Sequence, residues 1–234
     1  MAQGISILRA PMGLHTESAR VGAFTLAALL ALTGCAAELV PNPGPDADIE
    51  DPATPIGESI ETGRFLIVDH GDHYRAKVNA TSYESFQYLD LDELVSTEDP
   101  GRWDLAFQRH AILMNGGVTG DGGVGALYFE SVTFDEIEEA PREGYEEPVE
   151  DGPDRDLYHD NVFNGDFDGD EERDGNGWYA YELDGHTLTP RERVYVVRTT
   201  EGNAFKFAID NYYDTAGSPA NLQFRFAEIP YAGD

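Results

Sequence analysis

A mainly β domain of antiparallel strands, with at most one or two short helices, is predicted by three observations on this 234-residue sequence. Apolar and polar residues alternate with period two in several short runs. Clusters of Gly, Asn and Asp separate those runs as turns. Beyond the first 34 residues, no stretch carries a long apolar stripe of 3.6 periodicity between helix caps; 131–140 offers one short helix at most.

Phe65-Leu66-Ile67-Val68 is the first strand, stopped by Asp69-His70-Gly71-Asp72. Tyr74 to Val78 and Phe86 to Leu91 follow. Trp103-Asp104-Leu105-Ala106-Phe107-Gln108-Arg109 alternates cleanly, with the rings and Leu105 on a core face and polar or small residues on the other. Asp104 and Arg109 are expected to tie neighbouring strands or turns. Asn115-Gly116-Gly117 supplies the positive φ of a tight turn. Gly120, Gly122, Gly123 and Gly125 extend it into a mobile loop without the spacing or the Lys of a phosphate cradle. Val194 to Arg198 is apolar enough for a central strand, and Ala204 to Asp210 and Leu222 to Ala227 alternate again. Between them, 141–177 is dominated by Glu, Asp and Gly and reads as a long acidic loop insertion.

The 12 Phe, 12 Tyr and 2 Trp suffice for one sizeable core, hence one domain. Lys+Arg is 15 against Asp+Glu 45, a net charge of −30, and Lys77 and Lys206 are the only lysines. That balance excludes a nucleic-acid partner, which needs cations clustered on one face. The single cysteine, Cys35, excludes a disulfide framework and a thiolate metal cluster.

That cysteine has a place of its own. Arg9 and Arg20 precede the apolar run from Ala23 to Leu32, which is too short for a permanent span and suits a signal-peptide core. Leu32-Thr33-Gly34-Cys35 resembles the bacterial lipobox, in which the cysteine becomes the lipidated first residue of the mature chain. Residues 1–34 are therefore expected to be a lipoprotein signal peptide, and Ala36-Ala37, with no Asp after the cysteine, favours the outer membrane or cell surface. Residues 35–62, with Pro41, Pro43, Pro45, Pro52 and Pro55 among acids, form a tether, and 63–234 the β domain.

Two blocks carry a family resemblance. Trp103-Asp104-Leu105-Ala106-Phe107-Gln108-Arg109 is followed by Asn115-Gly116-Gly117. Trp178-Tyr179-Ala180-Tyr181 leads through Tyr195-Val196-Val197-Arg198-Thr199 to Lys206, Ile209, Tyr212-Tyr213 and Phe224-Arg225-Phe226. In this order the blocks resemble the HmuY-like haem-binding lipoproteins over roughly 64–229. The resemblance implies an antiparallel β fold with a haem cleft, capture of haem at the surface for uptake, and an outer-membrane haem receptor as partner. It also implies a pair of axial histidines on two loops, with Met as a substitute in some relatives. His186, just after the Trp-Tyr-x-Tyr block, falls near the second ligand, and His159, 27 residues earlier, near the first. His110 and Met114 flank the core strand as lesser candidates, and Arg191 or Arg193 would meet the propionates.

Asp166, Asp168, Asp170 and Asp174 repeat the first, third, fifth and ninth positions of an EF-type calcium loop. Glu171 stands where that loop needs Gly and Gly177 where it needs a bidentate Glu, so the expectation is a looser calcium site ordering the insertion. A calcium-ordered structural or adhesive lipoprotein without haem is the alternative function. His70 and His73 would suit zinc. No nucleophile elbow, zincin motif or placed carboxylate pair is present, and no enzyme is expected.

Two tests follow from residues 1–177. Cys35→Ala is expected to move the protein from membrane to soluble fractions; retention on membranes would rule out an acyl anchor at Cys35. Asp166, Asp168, Asp170 and Asp174, with Glu171 and Glu172 between them, put six carboxylates within nine residues, which repel one another unless a cation neutralises them. A chelator should therefore make 160–177 more protease-sensitive, and equal cleavage with and without calcium would remove the calcium site.

Overall fold

The computed structural model describes residues 59–97, 99, 101–150, 160–164 and 177–233. Thirteen strands lie among them: β1 (Ser59–Thr62), β2 (Phe65–Asp69), β3 (Tyr74–Asn79), β4 (Gln87–Asp90), β5 (Val95–Ser96), β6 (Leu105–Gln108), β7 (Ala111–Met114), β8 (Gly125–Glu130), β9 (Tyr179–Glu182), β10 (Thr187–Pro190), β11 (Arg193–Arg198), β12 (Ala204–Tyr213) and β13 (Pro219–Ile229). They form a seven-stranded sheet in the order β1-β2-β3-β13-β12-β11-β8, a four-stranded sheet β5-β4-β6-β7, and the hairpin β9-β10. Every strand pair is antiparallel.

Alternation on the long central strands builds the core. Phe205, Phe207 and Ile209 on β12 and Leu222, Phe224 and Phe226 on β13 point to one face of the large sheet, while Lys206, Asp210 and Arg225 point to the other. The small sheet closes over the aromatic face. Phe107 of β6 stacks on Phe224 at 5.2 Å between centroids and 10° between planes, and Phe65 meets Phe107 edge-on at 5.8 Å.

The opposite face of the large sheet is covered too. Phe134 packs on Val194, Ala208 and Ala227, and Ala140 on Val196, Ala204 and Ile229. This corrects the position assigned to β11. Its unbroken apolar run does not mark the middle of the sheet; β11 lies next to the edge strand β8, and is buried on both faces because the segment after β8 folds back over it. The same segment holds only a 3₁₀ turn, Phe134–Glu136, in place of the short helix expected over 131–140. Glu136 accepts the Thr133 N–H at 2.7 Å, and Pro141 lies soon after.

Three further boundaries differ from those read in the sequence. The sheet begins at Ser59, so β1 takes four residues assigned to the tether. The polar side of the Trp103 to Arg109 run is not solvated: Asp104, Ala106 and Gln108 are buried along with Leu105 and Phe107. The acidic stretch 141–177 is not merely appended. Glu146 exchanges two backbone hydrogen bonds with Ala126 on the edge of β8, at 2.9 and 3.0 Å. Asn161 donates to the Ile112 carbonyl at 3.1 Å, Asn164 accepts the Ile112 N–H at 3.0 Å, and Phe163 is fully buried against Tyr195 at 4.4 Å. One aromatic and two asparagines among acids and glycines make no periodic signal, yet they cover the open edge of β7 and fill the core.

Asp104 joins the sheets. Its Oδ2 accepts the Leu91 N–H at 2.8 Å, and its Oδ1 accepts Thr200 N–H at 2.8 Å and the Thr200 hydroxyl at 3.0 Å. Burial raises its pKa to about 6, although the bonds from Thr200 and Leu91 pull it back down. A folded-state pKa above the unfolded one gives stability that is present below the unfolded value, near 4, and lost as pH rises through 6. The loss amounts to about 3 kcal/mol. Relative to Asp104→Asn, the parent should therefore lose about that much unfolding free energy between pH 4 and pH 7. Urea melts at both pH values measure it, and a constant difference would show that the buried charge has no such cost.

Candidate functional site

Among the histidines assigned to haem, the described residues include His186. Trp178 fixes the base of its hairpin: the ring is buried, Nε1 donates to the His110 carbonyl at 2.8 Å, and the Trp178 N–H donates to the Phe163 carbonyl at 2.7 Å. On the return strand, Leu188 N–H donates to the Tyr213 hydroxyl at 2.9 Å and Arg191 N–H to the Trp178 carbonyl at 2.8 Å. The register Thr187↔Glu182, Leu188↔Tyr181 leaves residues 183–186 as the turn.

The turn projects outward. Leu183 is 64 % exposed, and His186 in the same turn is exposed too. His186 has φ 52, in the left-handed region where glycine is preferred. Its Nδ1 lies 2.6 Å from the Tyr181 hydroxyl. One ring nitrogen is thus engaged, on a residue that is exposed as a whole. An imidazole nitrogen is the kind of donor that a haem iron takes from a protein.

The other assigned residues divide as follows. His159, Asp166, Asp168, Asp170, Asp174 and Cys35 lie outside the described residues. Met114 is fully buried and packs in the core. His110 turns its ring edge-on to Tyr179 at 5.7 Å. Arg193 is not available to a propionate. It is buried, with Nη2 2.6 Å and Nε 3.0 Å from Glu130, Nη1 donating to the Gly177 carbonyl, and its guanidinium over Tyr128. Arg191 remains at the hairpin base, its Nε donating to the Tyr179 carbonyl at 3.2 Å.

His70 and His73 do not converge as a zinc pair. Their rings stack at 5.1 Å with 8° between planes, which sets the in-plane lone pairs side by side rather than toward a common ion. Asp72 holds His73 Nδ1 at 2.7 Å, and burial, then His73 and Arg75, push the His70 pKa below its ordinary value.

Two features have no clear signal in the sequence. Asp90, Asp92 and Asp104 bring carboxylate oxygens within 4.8 Å of one another, with Asp90 accepting Glu93 N–H and Asp92 accepting from Asn203. A cleft of about 550 Å³ lies between Phe86, Tyr88 and Trp103 on one side and Thr119 and Asp121 on the other, and its lining holds no histidine, methionine or cysteine. The glycine loop at its rim is packed rather than open. Asn115, buried, donates to the Trp103 carbonyl at 2.8 Å and accepts Gly122 N–H at 3.1 Å, and a Cβ at Gly120 would collide with that same Asn115 amide.

The family profile described as HmuY protein matches residues 82–226, from the strand before the Trp103 block to the end of the β13 aromatics. The chain belongs to the HmuY family. The HmuY family is a haem-binding, non-enzymatic one. Two solved structures share the fold. One is a Bacteroides fragilis chain provisionally described as a lipoprotein, at 18 % identity and TM-score 0.51, covering 71 % of this chain and 97 % of its own. The other is a Bacteroides vulgatus chain provisionally described as an HmuY-like haem-binding protein, at 17 % identity and TM-score 0.51, with the same coverage. No curated protein sequence matches the chain.

Proposed function

We propose that this protein is a lipid-anchored haem-binding protein that captures haem at the cell surface or outer membrane for uptake, with His186 and His159 as axial ligands. The observation that carries the reading is His186 itself. Within the span matched to a haem-binding family, it is an exposed imidazole on a turn whose base is clamped by Trp178, Tyr213 and Arg191. A rigid base lets the tip present its ring without losing much conformational entropy when haem binds.

Membership in the family and the haem-binding description of the Bacteroides vulgatus chain support the ligand class. The lipobox at Cys35 and the lipoprotein description of the Bacteroides fragilis chain support the anchor. Haem would supply the iron; His186 and His159 would hold it through imidazole nitrogens, with the exposed Leu183 on the same turn and a cation at Arg191 at the hairpin base. An anchored protein that takes up haem needs an acceptor downstream, and an outer-membrane haem receptor is the partner proposed.

Haemin titration followed by visible absorption tests the reading. The parent should bind saturably, with the sharpened Soret band of six-coordinate, bis-histidine iron. His186→Ala should abolish that spectrum and His159→Ala should leave a weaker five-coordinate one. Unchanged binding in both variants would remove these ligands. The absence of saturable binding in the parent would replace the haem reading with the calcium-ordered surface lipoprotein.

A further inference from the structure

We propose that Tyr181 is the positioning residue for His186, its hydroxyl holding Nδ1 so that Nε2 is the nitrogen presented to iron. The proposal rests on the haem reading above and names what aims its ligand.

The geometry is specific to this hairpin. Tyr181 on β9 pairs with Leu188 on β10, and His186 is the last residue of the turn between them. The phenol reaches back across the turn, so that Oη and Nδ1 are 2.6 Å apart and the ring centroids 6.1 Å. Glu182, the residue after Tyr181, accepts the Thr187 hydroxyl at 3.1 Å. The phenol is the group placed on Nδ1.

A phenol hydroxyl both donates and accepts, whereas a carboxylate only accepts and an ammonium only donates. In the haem-free protein the hydroxyl can donate to an unprotonated Nδ1. With Nε2 held by iron, the proton of the neutral imidazole would sit on Nδ1, and the Tyr181 hydroxyl would be the group to accept it. Neither state leaves Nδ1 without a partner. A metal-bound histidine is ordinarily oriented by such an outer contact, and losing it costs about 10- to 100-fold in metal affinity. A neutral acceptor also draws the Nδ1 proton less strongly than a carboxylate would. The imidazole then donates less electron density, and the iron is easier to reduce than with a carboxylate in the same place.

His186, not the preceding Gly185, takes a positive φ of 52, as do Leu94, Arg109, Ser131 and Ala220 elsewhere, so the backbone closes the turn and the hydrogen bond to Tyr181 carries the assignment.

Tyr181→Phe keeps the ring and removes the hydroxyl, and an unchanged thermal melt checks that the hairpin still folds. In the haem-free variant, the 15N shifts of the His186 ring nitrogens should move from a single hydrogen-bonded state to a solvent-averaged mixture of tautomers. In the haem-loaded variant, affinity for haemin should fall about tenfold and the reduction potential should move positive. Ring-nitrogen shifts, affinity and potential all equal to the parent would overturn the proposal. His186→Ala separates the two readings. If it binds haemin as the parent does, the ligand assignment fails and the positioning role falls with it. If it loses ligation while Tyr181→Phe changes nothing, only the positioning role is wrong.

Discussion

The packing of one sheet on the other depends on a carboxylate with no water around it. Asp104 sits at the start of β6, in the small sheet, and accepts hydrogen bonds from Leu91 on one side and from Thr200, in the turn between β11 and β12, on the other. Its carbonyl accepts the Asn115 N–H at 3.0 Å, and Asn115 in turn organises the glycine loop. One residue thus fixes three segments, Leu91 and Thr200 through its side chain and Asn115 through its main chain. Hydrophobic contact between Phe107 and Phe224 is stronger in total but carries no direction, and sheets joined by stacking alone could slide. The buried acceptor sets the register, at the cost of a carboxyl held far from its preferred ionisation.

The strands were legible because most are half-buried. Alternation marks a strand only when its two faces meet different environments, as on β12 and β13, where Phe207 and Phe224 face the aromatic core and Lys206 and Arg225 face Phe134. It misleads where a second layer covers the other face. Val194 and Val196 lie beneath Phe134 and Ala140, so β11 has the composition of a central strand near the edge of the sheet. Phe163 and Asn161 were illegible for another reason: a residue held by long-range contacts has no local pattern, and their contacts are to Tyr195 and Ile112.

The candidate site was legible only through its position after Trp178-Tyr179-Ala180-Tyr181. An isolated histidine in a turn has no signature of its own, since the same residue serves as a backbone partner in many loops. What distinguishes His186 is the combination of exposure, a positive φ and a phenol on Nδ1, none of which spacing reveals. Arg193 shows the converse. Proximity in sequence made it a partner for propionates, but Glu130 on the neighbouring strand, directly opposite in register, claims it.

Among the described residues the large sheet ends at β1, which pairs with β2 and follows in sequence the acidic, proline-rich stretch after Cys35. An unpaired strand edge is a template for another chain. β1 is four residues long, exposes Glu61, and hands the Thr62 hydroxyl to the Ser96 N–H of the small sheet. With a chain charge of −30, neighbours approaching edge to edge would bring like charges together. The acidity that leaves few cations for an anionic ligand therefore also opposes strand-to-strand pairing of two copies through this edge.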